Sequence, residues 1–367
     1  MFNNIYKGKK VFVTGHTGFK GSWLTQWLLS LGADVKGYSL YIPSKPSLFE
    51  VLKLEDKIDH FVGDIRDLDS LQKSINSFKP DMVFHLAAQP IVRRSYDEPI
   101  LTFETNLIGT INILETIRSV SSVQAGIFIT SDKCYENVEW EYGYRETDKL
   151  GGKDPYSASK ACTEIAFSSY HRSFFINDED PKIATTRAGN VIGGGDWADD
   201  RIVPDCIRAW SENKKVVVRN PSATRPWQHV LEPLSGYLWL GVNLLENPSH
   251  IDGEAFNFGP NSDVVKTVLE LLNQMKKKWN NAKLGEVSAH SVDNKKEAGL
   301  LKLNCDKALR RLQWEPSFTF KETMDFTVEW YKEFYREKID IDNFTISQIY
   351  NYQDLARQRG RLWAKQL

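Results

Sequence analysis

The sequence predicts an α/β fold in which a doubly wound parallel sheet carries a second, smaller lobe of mixed α/β structure. Three observations lead to this prediction. Short apolar runs alternate with helical patterns through the first half of the chain, a glycine-rich turn joins the first run to the first helix, and the alternation loosens after about residue 190. Strands that alternate with helices form a parallel sheet that is covered by helices on both faces.

The first predicted strand is the β-rich run at 11–15, and an amphipathic helix follows it, with Gly32 as a typical stop signal. The apolar residues that share one face of this helix are Trp23, Leu24, Trp27, Leu28 and Leu31. Further strands are predicted at 34–40, 60–64, 82–88 and 126–131. Ligands of such sheets bind beyond the carboxyl ends of the strands, so polar residues just after these runs are candidates for function.

The length of 367 residues allows one large domain or two lobes. We expect a first domain over 1–190, a second lobe over 191–345 and a tail over 346–367. Some of 226–260 is expected to return to the first domain. The charged sequence ARQRGRLWAKQL predicts that the tail is a basic surface helix.

The composition is that of an ordinary globular protein, with 41% apolar and 26% charged residues. A formal net charge of −1 gives no field that would favour nucleic acid or an acidic membrane surface. No apolar run is long enough to span a bilayer, and no signal peptide is visible after MFNNIYKGKK. The four widely spaced cysteines predict free thiols in the reducing cytoplasm, and no motif indicates a metal.

A turn with the sequence GHTGFKG joins the first strand to the first helix and contains Gly15, Gly18 and Gly21. Gly15 would make the tight turn, Gly18 would let a ligand approach the backbone, and Gly21 would let the helix pack on the strand. The helix N-terminus would then present N–H groups and a positive dipole end to a pyrophosphate. An ordinary glycine-rich turn is the alternative, but the flanking strand and amphipathic helix favour a dinucleotide-binding turn.

The second strand lacks the acidic end residue that usually binds the ribose 2′-hydroxyl of NAD. It ends in GYSLY, while Lys20 lies in the glycine turn and Lys36 is nearby, so the sequence leaves both NAD and NADP open. Asp64 follows the third strand, where it can accept a hydrogen bond from the adenine amino group. It can equally be the N-cap of a helix that starts near Arg66.

Two polar motifs point to acid–base chemistry. YSASK places Tyr156 and Lys160 one helical turn apart. An ammonium beside a phenol lowers the pKa of the phenol from about 10, which makes a usable base near neutral pH. ITSDKCY places a hydroxyl, a carboxylate and an amine in a row at Ser131, Asp132 and Lys133, where a buried strand ends. A capped loop with a surface ion pair is the alternative for this second motif.

The chain resembles the extended short-chain dehydrogenase/reductase family, whose members have a Rossmann-type sheet, and within it the sugar-nucleotide 4,6-dehydratases. The resemblance covers nearly the whole chain and includes KKVFVTGHTGFKGSWL (9–24), HLAAQP (85–90), TNLIGTINILE (105–115), ITSDKCY (129–135), DPYSASK (154–160), RAGNVIGGGDW (187–197), TRPWQHV (224–230) and LNCDKALRRLQWEPSF (303–318). In related dehydratases, a hydroxyl residue, Asp and then Glu end the corresponding strand. Lys133 takes the place of that Glu, as in the enzymes that act on cytidine nucleotide sugars.

The resemblance implies that the first domain binds NAD and that the second lobe binds the nucleotide sugar. The residues implied for the cofactor are Gly15, Thr17, Gly18, Phe19, Gly21, Asp64, Ile65, Ala87, Tyr156 and Lys160. The residues expected to bind the substrate are Gln89, Asn190, Arg201 and Arg225. Arginine forks match phosphate oxygens, although either arginine could instead be an ordinary surface residue.

The implied reaction removes water from C5 and C6 of a hexose after oxidation at C4, and the hydride later returns to C6. Tyr156 would be the base for the C4 hydroxyl, Lys160 would lower its pKa and hold the nicotinamide ribose, and Ser131 would bind the C4 oxygen. Asp132 would be the acid at the C6 hydroxyl, and Lys133 the base at C5 or the stabiliser of the enolate. A base must be a neutral amine, so burial or Lys160 is expected to depress the pKa of Lys133, beside a protonated Asp132.

The resemblance also implies deoxysugar biosynthesis for O-antigen and a homodimer or dimer of dimers, in which helices at 98–119 and 156–176 pair with their copies. The apolar residues of the second helix considered for this contact are Ile165, Ala166, Phe167 and Tyr170. Two other functions stay open. A sugar-nucleotide 4-epimerase needs Tyr156 and Lys160 but no Asp–Lys pair, and a nicotinamide-binding sensor needs no tuned phenol.

Overall fold

The computed structural model describes residues 1–199, 201–218, 221–261, 264–287, 300–336 and 339–365. Its strands are β1 Lys10–Thr14, β2 Asp34–Ser39, β3 Asp59–Val62, β4 Met82–His85, β5 Ala125–Ile129, β6 Lys182–Ala188, β7 Val191–Ile192, β8 Lys215–Val218, β9 Thr224–Arg225, β10 Gln228–His229, β11 Ala255–Phe258, β12 Lys266–Thr267 and β13 Lys283–Val287. Its α-helices are α1 Phe19–Ser30, α2 Leu48–Val51, α3 Leu68–Phe78, α4 Val92–Asp97, α5 Pro99–Phe103, α6 Gly109–Arg118, α7 Pro155–Phe174, α8 Ile202–Ser211, α9 Leu231–Glu246, α10 Val268–Lys276, α11 Asp306–Leu312, α12 Phe320–Tyr335 and α13 Ile341–Gln358. A π-helical turn, Glu104–Ile108, joins α5 to α6.

Seven of the described strands form one parallel sheet in the order β11-β6-β5-β4-β1-β2-β3. The prediction of a doubly wound parallel sheet is therefore confirmed. All five strands predicted from the apolar runs are present, and their ends differ from the predicted ones by a few residues at most. The largest difference is at β4, because the apolar residues at 86–88 continue the run but turn away to line a cavity.

Alternate residues of the central strands face two separate cores. In β1, Val11 and Val13 lie in one core with Trp23 and Trp27 of α1, whereas Phe12 lies in the other. Helices α1, α9, α12 and α13 cover the first face, and α3, α6 and α7 cover the second. Because helices cover both faces, a ligand reaches this sheet at the strand ends.

Two elements that come late in the chain complete the first half of the fold. β11 pairs with β6 at the edge of the sheet, and α9 packs on β5 and β6. The other described strands form three pairs, β7 with β10, β8 with β13 and β9 with β12. Residues from these pairs and from α8 line the same cavity as the ends of the sheet strands. The domain limits at 190 and 345 stay a prediction.

The tail is helical as far as Gln358, as predicted, but the prediction that this helix lies on the surface is wrong. α13 begins at Ile341 and buries Ile349, Tyr352 and Ala356 in the core. Beyond it, the ring of Trp363 stacks on Tyr352 at 5.6 Å and on Phe2 at 5.1 Å between centroids. The prediction considered the charges of this segment, whereas the apolar residues at helical spacing decide which face is buried.

Three further observations bear on the composition. No helix in the described part of the chain is long and apolar enough to cross a membrane. Within those same residues, no cluster of three or more His, Cys, Asp or Glu side chains is placed to hold a metal ion. The cysteines are unpaired, with Cys134 and Cys206 buried and Cys162 and Cys305 partly buried.

Candidate active site

A cavity of about 1950 Å³ lies beyond the carboxyl ends of the sheet strands. Every residue predicted to bind the cofactor, to bind the substrate or to act in catalysis lines this cavity. These residues come from the turn after β1, the ends of β3, β4 and β5, the start of α7, and the segments that lead to α8 and β9. The fold therefore brings the separate motifs of the sequence to one place.

The glycine turn between β1 and α1 has the shape that a pyrophosphate site needs. Gly15 has a φ of +75°, and a Cβ on it would lie 2.7 Å from the backbone nitrogen of Ala87. A Cβ on Gly21 would lie 2.1 Å from the Gly15 oxygen, so the helix start packs directly on the turn. Gly18 is the N-cap of α1, and none of the described side chains caps it. The free N–H groups of this helix end border the cavity and suit an anion.

The end of β2 has a cluster of one serine and two histidines in place of an acid. The hydroxyl of Ser39 is 2.9 Å from Nδ1 of His16, and Nε2 of His16 is 2.7 Å from Nδ1 of His60. Burial, followed by His60, lowers the pKa of His16 to about 3, so its ring is uncharged. Lys36 forms an ion pair with Asp59 at 2.7 Å and is not among the described residues that line the cavity. This end of the cavity therefore suits NAD better than NADP.

Asp64 lines the cavity, but Arg66 holds its carboxylate. Arg66 donates to it from its backbone N–H at 2.9 Å and from Nη2 at 2.6 Å. Burial would raise the pKa of Asp64, but the hydrogen bonds from Arg66 outweigh burial and lower it. The alternative prediction, that Asp64 caps the next helix, is wrong, because α3 begins at Leu68 and Asp67 is its N-cap.

The polar run at the end of β5 forms a short 3₁₀ turn over Asp132–Cys134. Ser131 accepts a hydrogen bond from the Lys133 N–H at 3.2 Å, and its hydroxyl donates to the Asp132 carboxylate at 3.0 Å. Asp132 is only 6% exposed, so the alternative of a surface ion pair is wrong. Burial raises the pKa of Asp132 although Lys133, Ser131, Lys20 and Arg225 oppose it. This environment favours the protonated acid.

Tyr156 is buried in the first turn of α7, where Asp154 is the N-cap. Burial raises the pKa of Tyr156 to about 12, and Ser131 and Arg201 act against this rise. The prediction named Lys160 as the group that lowers this pKa. The groups that lower it here are instead Ser131 and Arg201, because they face the phenol from β5 and from the start of α8.

Lys160 lies one turn further along α7 and is buried as well. Its ammonium is 3.5 Å from the carbonyl oxygen of Ile129, at the end of β5. Burial lowers the pKa of Lys160 to about 8, and the carboxylate of Glu164 opposes this change. The ammonium therefore sits between the strand end and α7, beside the part of the cavity that Tyr156 borders.

Two arginines, Arg201 and Arg225, line the part of the cavity beyond Ser131, Asp132 and Lys133, which form the catalytic run. A diphosphate is predicted to bind in this part of the cavity. Arg201 forms an ion pair with the buried Asp196 at 2.8 Å. The hydroxyl of Tyr331 accepts a hydrogen bond from the Asp196 N–H and donates one to the Asp196 carbonyl oxygen. Arg225 lies on β9 and lines the same cavity, and Asn190 lies between β6 and β7. The GGGDW segment thus contributes a carboxylate that orients an arginine, a role that the sequence did not indicate.

Gln89 lines the cavity, but its side chain forms hydrogen bonds with neighbouring residues of the protein. Its amide group donates to the carbonyl oxygen of Ile91 at 3.1 Å and to Thr102 Oγ1 at 2.9 Å. Its side-chain oxygen accepts from the Ile91 N–H at 2.7 Å. Gln89 therefore shapes the loop between β4 and α4, and both N–H groups of its amide are used within the protein, while its side-chain oxygen can accept one further hydrogen bond.

Lys20 belongs to the glycine turn, but its side chain reaches towards the catalytic residues, which the sequence did not indicate. Its ammonium is 3.4 Å from the hydroxyl of Tyr237 and close enough to interact electrostatically with Asp132 and Lys160. Burial, followed by the charge of Arg201, lowers the pKa of Lys20 to about 8. A lysine in the first turn of a helix opposes the helix dipole, and this conflict is the signal that could have marked it.

Comparisons with known proteins bear on this site. Residues 12–327 match the family model described as GDP-mannose 4,6 dehydratase. The chain is 48% identical over 340 residues to the CDP-glucose 4,6-dehydratase of Salmonella typhimurium, covering 91% of this chain and 93% of that protein. The fold is similar to that of an epimerase from Methanothermobacter thermautotrophicus, with a TM-score of 0.78, 25% identity and coverage of 92% and 97%. It is also similar to a dTDP-glucose 4,6-dehydratase from Streptomyces venezuelae with NAD and TYD bound, with a TM-score of 0.74, 22% identity and coverage of 88% and 97%.

Proposed function

Because the chain belongs to the GDP-mannose 4,6-dehydratase family, within the extended short-chain dehydrogenases/reductases, we propose that it is an NAD-dependent hydro-lyase that converts CDP-glucose into CDP-4-keto-6-deoxyglucose and water. The observation that carries this proposal is the pair Asp132 and Lys133 at the end of β5, in the same cavity as Tyr156. Oxidation at C4 needs Tyr156, Lys160 and Ser131 but not the Asp–Lys pair. Removal of water from C5 and C6 needs an acid and a base as well.

NAD is the cofactor that this cavity fits. The free N–H groups at the start of α1 suit its pyrophosphate, and the hydroxyl of Ser39 beside the uncharged ring of His16 suits an unphosphorylated ribose. Lys160 borders the part of the cavity where the nicotinamide ribose would lie. When bound, NAD supplies a positively charged ring that accepts a hydride from C4 of the sugar and returns it to C6.

The first half of the reaction depends on Tyr156. The phenol takes the proton of the C4 hydroxyl, and Ser131 holds the C4 oxygen from the end of β5. A pKa of about 12 is too high for a base at neutral pH, so positive charge must lower it when the site is filled. Arg201 already supplies part of this charge, because it faces the phenol.

The second half depends on the run after β5. A ketone at C4 makes the C5 proton acidic, and Lys133, which is partly buried at the cavity wall, takes this proton. Asp132 gives a proton to the departing C6 hydroxyl. Burial raises the pKa of Asp132, which shifts this carboxyl group towards the proton-donating form that the step requires. The two side chains thus divide the acid and base roles.

Assays with four nucleotide sugars test the function and the nucleotide base together. Purified protein with NAD should convert CDP-glucose to a 4-keto-6-deoxy product, detected by NMR, with a higher kcat/KM than UDP-, dTDP- or GDP-glucose. A 4-epimerase would instead give the galactose isomer without loss of water, and a binding protein would give no product. Either result would overturn the proposal.

The reaction should run without added reductant. The hydride taken from C4 returns to C6 in each cycle, so the concentration of reduced nicotinamide should be the same before and after complete conversion of the substrate. Absorbance of reduced nicotinamide, followed alongside product formation, checks this. Consumption of one NADH or NADPH for each product molecule would show a reductase instead.

We also infer a homodimer that forms through α5, α6 and α7. Exposed isoleucines lie on two of these helices, with Ile100 of α5 74% exposed and Ile165 of α7 59% exposed. A twofold axis between copies would cover both surfaces with one self-complementary contact. Phe167, considered for this contact from the sequence, packs instead into the core of its own chain.

A charge on the exposed face of α7 should break this dimer. Ile165→Asp should shift the protein towards the monomer in sedimentation velocity at micromolar concentration, because the contact would bury an unpaired carboxylate. Ile176→Asp is the matched control, since Ile176 is 69% exposed but lies beyond the end of α7. A monomeric wild-type protein, or equal behaviour of the two variants, would contradict this interface.

A further inference from the structure

A buried ion pair lies directly behind the catalytic run. Glu164 of α7 and Arg187 of β6 have side chains that are 3% and 4% exposed, and Nη2 of Arg187 donates to Oε2 of Glu164 at 2.8 Å. Neither is among the described residues that line the cavity. A pair in this place affects the reaction only through the residues that it holds.

Glu164 ties the end of β5 to α7. Thr130 donates to its Oε1 at 2.5 Å, and Thr185 of β6 donates to its Oε2 at 2.8 Å. Thr130 comes immediately before Ser131, so its hydrogen bond fixes the point where the catalytic run leaves the sheet. The same helix carries the tyrosine–lysine pair on the turns before Glu164.

Arg187 holds the other end of the run. Its Nη1 donates to the hydroxyl of Tyr135 at 2.9 Å and to the carbonyl oxygen of Glu146 at 3.1 Å. Its guanidinium also lies 4.9 Å from the centroid of the Tyr135 ring. The hydroxyl of Tyr135 in turn donates to Asn257 on β11 at 2.8 Å. One ion pair therefore anchors the run 131–133 on both sides, at Thr130 and at Tyr135.

We propose that the Glu164–Arg187 pair positions the run 131–133 relative to Tyr156 and Lys160. The acid and base of this run can then reach the same bound sugar that Tyr156 contacts. This inference rests on the proposed function. A buried ion pair adds little to stability, because removing two charges from water largely offsets their attraction. Alignment of reacting groups has a larger effect, since a displacement of about 1 Å can lower a rate about 100-fold. The pair is a positioning element, because it touches neither substrate nor cofactor sites.

The hydroxyl groups around Glu164 give a matched test. Removing either charged residue would leave its partner buried and unpaired, and would mix misalignment with unfolding. Thr130→Val and Thr185→Val each remove one hydrogen bond to Glu164 and keep the shape of the side chain. Only Thr130 adjoins the catalytic run, whereas Thr185 lies within β6.

We expect both valine variants to melt at similarly lowered temperatures. Thr130→Val should lower kcat about 10- to 100-fold with little change in KM, while Thr185→Val should keep a kcat close to that of the wild type. Thr130→Ser keeps the hydroxyl and should recover most of the lost rate. Appearance of reduced nicotinamide in a single turnover gives a second readout, which a loss of stability alone would not change.

Equal kcat values for the two valine variants would overturn the inference, and so would a Thr130→Ser enzyme as slow as Thr130→Val. These outcomes apply to a wild-type protein that dehydrates CDP-glucose. If the wild type dehydrates none of the four nucleotide sugars, the proposed function fails and the inference fails with it. The two failures are therefore distinguishable in one set of assays.

Discussion

Tyr156→Phe should lower kcat on CDP-glucose about 10²–10⁴-fold, because it removes the group that takes the C4 proton. The ring stays, so the buried packing at the start of α7 is kept. No reduced nicotinamide should appear when this variant is mixed with NAD and CDP-glucose in a stopped-flow instrument. Tyr142→Phe, on a side chain that is 66% exposed, is the control and should behave like the wild type. A normal burst of reduced nicotinamide in Tyr156→Phe would remove this residue as the C4 base.

Lys133→Met should stop the reaction at a later point. Oxidation at C4 does not need the amine, so reduced nicotinamide should appear on mixing and then persist. Dehydration should fall about 10²–10⁴-fold, and solvent deuterium should not enter at C5. NMR of the sugar and absorbance of the cofactor measure these two effects separately. Lys149→Met, which changes an exposed lysine, is the matched control.

Near wild-type dehydration by Lys133→Met would remove Lys133 from the mechanism. Asp132, or a water molecule that it holds, would then have to be the base at C5. Burial raises the pKa of Asp132, and this direction favours a proton donor over a base at that position. The contrast between the two variants therefore separates oxidation from dehydration within one active site.

The fold and the location of the site follow from local features of the sequence. The runs that became β1, β4 and β5 are strands because their apolar residues suit a sheet that is buried on both faces, whereas β3 lies at an edge and is largely exposed. The glycines of the turn could be recognised in the sequence because the turn has a physical need for them. The backbone at position 15 has a positive φ, and position 21 has no room for a side chain. Parallel strands bring their carboxyl ends to one edge, so residues that follow different strands were expected to meet there.

Side-chain direction could not be predicted in this way. Lys20 contacts Tyr237, which is 217 positions away in the chain, and no local pattern reveals that contact. Gln89 follows a strand, as a substrate-binding residue would, but its amide pairs with Ile91 and Thr102. Local spacing therefore locates the site, whereas contacts between distant segments decide which side chains remain available within it.

The aromatic packing of Trp363 governs how this chain can fold while it is being made. Trp27 of the first helix contacts both Tyr352 and Trp363, so part of its apolar face has no cover until those residues leave the ribosome. Synthesis at about 5–20 residues per second makes this delay on the order of tens of seconds. We expect the nascent chain to expose this apolar surface throughout that time. Chains that stop before residue 352 should therefore be recovered as aggregates rather than as a folded cofactor-binding half.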